Sequence, residues 1–150
     1  MSETTIEYKP RRGCNLSLEM AKKYGAHLAS LIKQNGDKIK PSQVLEDAKR
    51  MESPIHSHFE WDDTEAAIKH RLDQARYLLR NIITTIIVEE KEVEQRSFWN
   101  VKEEGTQERI YITLKTAVET ENYKHQLIDK ITRHLENVMM LLKMFKECDT

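Results

Sequence analysis

No segment constrains the fold more than residues 120–147. Leu127, Ile131, Leu135, Val138, Leu142 and Phe145 recur there at spacings of three and four, and Thr120 can cap the start. The pattern predicts one helix of about 27 residues, near 40 Å long at 1.5 Å per residue. Met139, Met140 and Met144 widen the apolar stripe beyond what a thin sheet would cover. A terminal helix with such excess width is either deeply buried or laid against a partner helix. Leu135, Val138, Met140, Leu142 and Met144 are the residues expected to meet that partner.

The rest of the chain must supply a body for this helix. At 150 residues it suffices for one domain burying roughly two-thirds of the surface its unfolded form exposes. Asn15 can cap a helix over 15–34 with Leu16, Met20, Tyr24, Leu28, Leu31 and Ile32 inward, ended by Asn35-Gly36. Gly25 inside it costs about 1 kcal/mol relative to Ala and points to a close approach of neighbouring chain. Pro41 opens a helix over 41–50, and Asp62, three residues before Glu65, opens one over 62–82 with Ile68, Leu72, Ala75, Leu79 and Ile82 inward. Then the period changes from helix to strand. Residues 84–88, 95–101 and 108–114 are β-branched, aromatic or alternating, with acidic connectors and a turn at Gly105. The expected fold is α+β: a three-helix N-terminal region, a three-stranded antiparallel meander within about 84–114, and the long helix. Residues 1–14, with Pro10 and Gly13, are expected to form a flexible basic arm ahead of a single domain over 15–150.

Charge excludes some functions. The net charge is -1, so no global field recruits nucleic acid or an anionic membrane. It is nonetheless uneven: residues 1–50 carry ten Lys and Arg against six Asp and Glu, and residues 51–100 carry six against ten. Cys14 and Cys148 form neither a CxxC pair nor a disulfide framework, which suits a reducing compartment. No apolar run approaches the roughly 20 residues of a membrane span, so a cytosolic protein without membrane contact is expected.

The segment Ser53-Pro54-Ile55-His56-Ser57-His58-Phe59-Glu60-Trp61-Asp62-Asp63 is the most distinctive. His56, His58, Glu60, Asp62 and Asp63 could ligate a metal, but all lie within eight residues and no distant His-rich motif completes a set. The structural reading is favoured: Phe59 and Trp61 plug the core while Asp62 and Asp63 start a helix. No P-loop, GxGxxG, GxSxG or HExxH occurs, so neither an enzyme nor a cofactor is indicated.

The run from Pro54 to Asp63, followed by Ala66-Ala67, His70-Arg71-Leu72, Gln74-Ala75-Arg76 and Ile82, resembles a family of small phage and prophage proteins. In that family a segment of the form SPLHxxFEWDD leads into a helix of the form AAxxYRxxQARxLI. His70 stands where the family pattern has Tyr. The likeness covers about residues 15–82 and is topological beyond them. It implies a phage accessory protein acting in a host bacterial cytoplasm, and it implies no particular mechanism.

Two functional readings result. In the first, a non-enzymatic, dimeric protein holds DNA through Lys9, Arg11, Arg12, Lys22, Lys23, Arg71, Arg76 and Arg80, since Arg and Lys pair with phosphate oxygens. Lys69, Asp73, Arg76 and Arg80 can equally form ordinary pairs along a solvated helix face. In the second, the protein is an interaction module, either a host-factor modulator or a virion or assembly component. Its Met-rich C-terminal helix then carries recognition of a protein partner or of another copy.

Overall fold

A computed structural model describes residues 6–61 and 65–148 of the chain. It is mixed helix and strand, with small antiparallel sheets and a long C-terminal helix. The chain opens with strand β1, Glu7–Pro10, inside the segment expected to be an arm. Helix α1, Leu18–Gln34, begins three residues later than expected, because Ser17 and not Asn15 caps it, its hydroxyl accepting from the Met20 amide at 3.1 Å. Gly36 ends it at φ 76°, and the Asp37 amide returns to the Ile32 carbonyl at 2.8 Å. Helix α2, Pro41–Ala48, starts on its proline, with the Gln43 side chain accepting from the Lys40 amide. A single 3-10 turn, His56–His58, leads towards α3, Glu65–Asn81. The proposed caps Asp62 and Asp63 lie outside the described residues.

Helix α3 passes without a loop into strand β2, Ile82–Val88, which turns back as β3, Lys91–Arg96. Their hairpin is closed by Glu89 and Glu90, both at positive φ (49° and 64°), a two-residue turn without its usual Asn or Gly. β1 pairs antiparallel with β2, Tyr8 opposite Thr84, giving the order β1-β2-β3. Strands β4, Phe98–Lys102, and β5, Arg109–Thr113, form a second, two-stranded sheet around the Gly105 turn. The expected meander is therefore corrected to two sheets. The middle candidate, 95–101, breaks at Ser97, whose buried hydroxyl bonds that of Thr84 while its amide donates to the Ile82 carbonyl. Helix α4, Leu114–Glu119, was not expected; Thr113 caps it, so Leu114 belongs to a helix and not to the end of a strand. Helix α5, Glu121–Glu147, follows within the predicted limits.

The core has two parts. The larger gathers Tyr24, Leu28, Ile32, Val44, Ala75, Leu78 and Leu79 from the helices, Ile55 and Phe59 from the loop before α3, Ile82 from the first sheet and Phe98 from the second. On α3 the expected stripe holds for Ala75 and Leu79, with Ile82 just beyond the helix, all fully buried; Leu72 packs against the core, Leu78 joins the buried face, and only Ile68 of the expected set is exposed. The smaller core joins Val101, Ile110 and Ile112 of the second sheet to Ala117, Tyr123 and Leu127. Ile39 and Tyr111 exchange both backbone hydrogen bonds, at 2.9 and 2.7 Å, and join the α1–α2 loop to β5. Ion pairs Lys38–Glu103 and Lys40–Glu108 flank that bridge. The Glu103 carboxyl is held below its ordinary value by the hydrogen bond from Lys38.

Candidate functional site

Among the described residues, the long helix is buried against the body at its base. Tyr123 and Leu127 are buried, and every residue from Ile128 to Cys148 is exposed. About 30 Å of helix thus stands away from the body. Its apolar side chains are between 39% and 71% exposed, from Val138 to Phe145. Leu135, Val138, Met140, Leu142 and Met144 all lie on this projecting part, so the wide stripe is a surface and not core. Such a helix without tertiary support is marginal in water.

The motif loop is built differently from expectation, with one of its two aromatics in the core. Phe59 enters the core as expected. Trp61 does not: its ring stacks on His56 at 4.8 Å, and the Arg71 guanidinium lies over it, 5.0 Å from its centroid. Its indole N–H donates to the His56 carbonyl at 3.0 Å, and Arg71 Nε donates to the Glu60 carbonyl at 2.8 Å. His56 Nδ1 donates to the Ala48 carbonyl at 2.6 Å. His58 lies elsewhere, 5.9 Å from the Tyr24 ring and 6.2 Å from that of Tyr77. Burial pushes its pKa down, and its buried Nε2 has no hydrogen-bond partner among the described residues. The two imidazoles therefore have separate surroundings. Among the described residues no group of three or more His, Cys, Asp or Glu could hold a metal; Asp62 and Asp63 lie outside them.

The basic residues are partly brought together. Lys9 sits within β1 opposite Ile83. Arg11 and Arg12 occupy the exposed turn after it, and the Arg11 amide donates to the Asn81 carbonyl at 2.7 Å. The same turn is tied to α3 by the Asn15 amide, which donates to the Tyr77 hydroxyl at 2.7 Å. Arg11 and Arg12 are thus beside the end of α3 that carries exposed Arg80. The others are engaged separately: Lys22 pairs with Glu7, Arg76 with Asp73, and Arg71 holds Trp61, while Lys23 is exposed on α1.

Sequence reasoning missed a buried polar cluster under α2. Asp47 accepts from His27 Nε2 at 2.6 Å, from the Ser53 hydroxyl at 2.7 Å and from Arg50 at 2.7 Å. Burial alone would raise the Asp47 pKa, but the hydrogen bonds from His27, Ser53 and Arg50 outweigh it and hold the carboxyl below its ordinary value. This is not a nucleophilic triad. Serine and imidazole both point at one carboxylate oxygen, and Ser53 Oγ lies 3.4 Å from His27 Nε2, so no base is aimed at the hydroxyl. A contact across 20 residues leaves no local pattern by which to find it. A cleft of about 660 Å³ opens between β1, β2, α1 and α4, with Tyr8, Ile32 and Phe98 as walls and Lys33, Arg96 and Lys115 on its rim. None of the expected site residues lines it.

No family model, curated protein or solved structure matches the chain. No helix among the described residues is long and apolar enough to cross a membrane.

Proposed function

We propose that this is a non-enzymatic accessory protein that works by association, with the projecting part of α5 as its working surface. The observation that carries this reading is the run of exposed apolar side chains from Ile128 to Phe145 on a helix whose packing to the body ends at Leu127. Exposed apolar surface of this extent marks an interaction site. The phage setting suggested by the 53–82 motif belongs to the same proposal, with a host bacterial cytoplasm as the place of action. The test is amide hydrogen exchange of residues 128–147 in protein isolated from its native cell with co-purifying components retained. Slow exchange, lost in a Leu135→Glu/Leu142→Glu variant, is the expected result. Equally fast exchange in both removes the basis of the reading.

The adjacency of Arg11, Arg12 and Arg80 favours a second reading, in which that end of the body touches DNA phosphates. Binding to a short duplex should then weaken by orders of magnitude between 50 and 200 mM salt, and Arg11→Ala should lower the log–log salt slope by about 1. No binding at 50 mM salt removes it.

A further inference from the structure

We infer that the partner of α5 is the same helix in other copies of this chain, joined in a parallel four-stranded bundle. The inference rests on α5 being the working surface, and goes beyond it by naming the occupant, its number and its direction. With Ile128 at heptad position a, the a positions are Ile128, Leu135 and Leu142, and the d positions are Ile131, Val138 and Phe145. All six are 39–71% exposed. Three consecutive heptads without a polar a or d residue form a knobs-into-holes seam, which a matching seam covers best.

The charges agree with this frame. Asp129, Lys130, Arg133, Glu136 and Lys143 all fall at b, c or f, the outer positions of a bundle. The flanking e and g positions along the seam are Leu127, Thr132, His134, Met139, Leu141 and, at its far end, Lys146. A helix shaped for a charged foreign groove would carry complementary charges beside its seam. This one carries no carboxylate there, and its one lysine, Lys146, lies beyond the last seam residue.

Number comes from side-chain shape by rules that hold for parallel helices, and the parallel direction is what the cross-link below tests. Isoleucine at both a and d, or leucine at a with a β-branched residue at d, shifts parallel coiled coils beyond two strands. The first heptad here is Ile128 with Ile131, and the second is Leu135 with Val138. Met139 at e and Leu141 at g widen the face on both sides, which a two-stranded seam leaves open and a four-stranded bundle covers. The area argument agrees. The side of a helical segment of about 27 Å measures roughly 900 Å². A two-stranded seam covers about a third of it, well short of the roughly 600 Å² per partner at the lower end of stable interfaces. Covering e and g as well takes about four-sevenths, roughly 500 Å² and much nearer that limit.

The test uses the full-length recombinant chain alone. Light scattering after size exclusion should give about four times the 17.7 kDa chain mass. The Leu135→Glu/Leu142→Glu variant should fall to one chain mass with unchanged near-ultraviolet circular dichroism, which shows that the body is still folded. Cys148 is exposed at the tip of α5. In a Cys14→Ser background, mild oxidation of a parallel bundle should link copies through Cys148 into disulfide dimers on a non-reducing gel. Assembly without that cross-link overturns the parallel direction, and a two-chain mass overturns the bundle of four. A single-chain mass at every concentration up to 100 μM overturns self-association. If native-cell protein still shows protected α5 amides in that case, the association reading stands and its partner is foreign.

Discussion

Replacing Gly25 with alanine should destabilise the protein, although alanine is the better helix former. An added Cβ would collide with Tyr8 Cγ and lie 2.7 Å from both Tyr8 Cβ and Cδ1. These atoms sit near the strand backbone, so relief requires β1 itself to move. The Tyr8 ring is also stacked on Phe98, 6.3 Å between centroids and 12° between planes, and cannot swing away freely. Overpacking of this kind costs about 1–3 kcal/mol. The gain in helix propensity returns about 1 kcal/mol. The net expectation is a loss of up to about 2 kcal/mol, which for a chain of this size lowers Tm by up to about 8 °C. Thermal unfolding followed by circular dichroism measures it, using the Leu135→Glu/Leu142→Glu variant as the common background. In a Tyr8→Ala background two of the three contacts vanish, and the cost of Gly25→Ala should at least halve. A Tm that rises on Gly25→Ala alone would refute the close approach of β1 to α1.

Other expectations concern charge, turns and the projecting helix. Burial lowers the His58 pKa, so the folded state takes up a proton less readily than the unfolded chain. Stability should then be level above about pH 6.5 and fall as pH drops below it; His58→Phe should flatten that slope in urea titrations at pH 5 to 7. For Asp47 the shift is downward, so its contribution is complete above its ordinary value of 3.8 and is lost as pH falls through the folded value. Asp47→Ala should cost about 1.5–3 kcal/mol at pH 7, read as a lower urea midpoint, since it strips a carboxylate acceptor from Ser53 and His27. Glu90→Gly should add about 1 kcal/mol by relieving a left-handed non-glycine residue; an unchanged midpoint counts against the positive φ there. Tm of the wild-type chain should climb with protein concentration while that of Leu135→Glu/Leu142→Glu stays constant.

The limits of α5 were legible because its period is unbroken and no other element competes for its residues. Its exposure was not, since one stripe of leucine and methionine describes a core helix and an association helix equally well. The opposite holds for β1. Tyr8-Lys9-Pro10 has almost no strand signal, and only a partner brought up by α3 makes it one. The alternation Ile110, Ile112, Leu114 ran past its true end because Thr113, a good strand residue, is also a good cap. The apparent single strand 95–101 conceals a change of sheet at Ser97, a tertiary event without local cause. In the motif loop, Phe59 followed from hydrophobicity. Trp61 was misplaced because its indole has better partners outside the core, in His56 and Arg71.

The pairing of β1 with β2 also has a kinetic side. Tyr8 meets Thr84 only after α1, α2 and α3 have been laid down between them, whereas both hairpins and all the helices close locally. Closing so long a loop carries a large entropic cost with few local contacts to offset it. β1 is therefore expected to dock late in folding and to be among the first segments to open under native conditions, with four residues and a terminal proline to hold it. Its seat on Gly25 then acts as a clasp: the strand leaves and returns while the rest of the body remains intact.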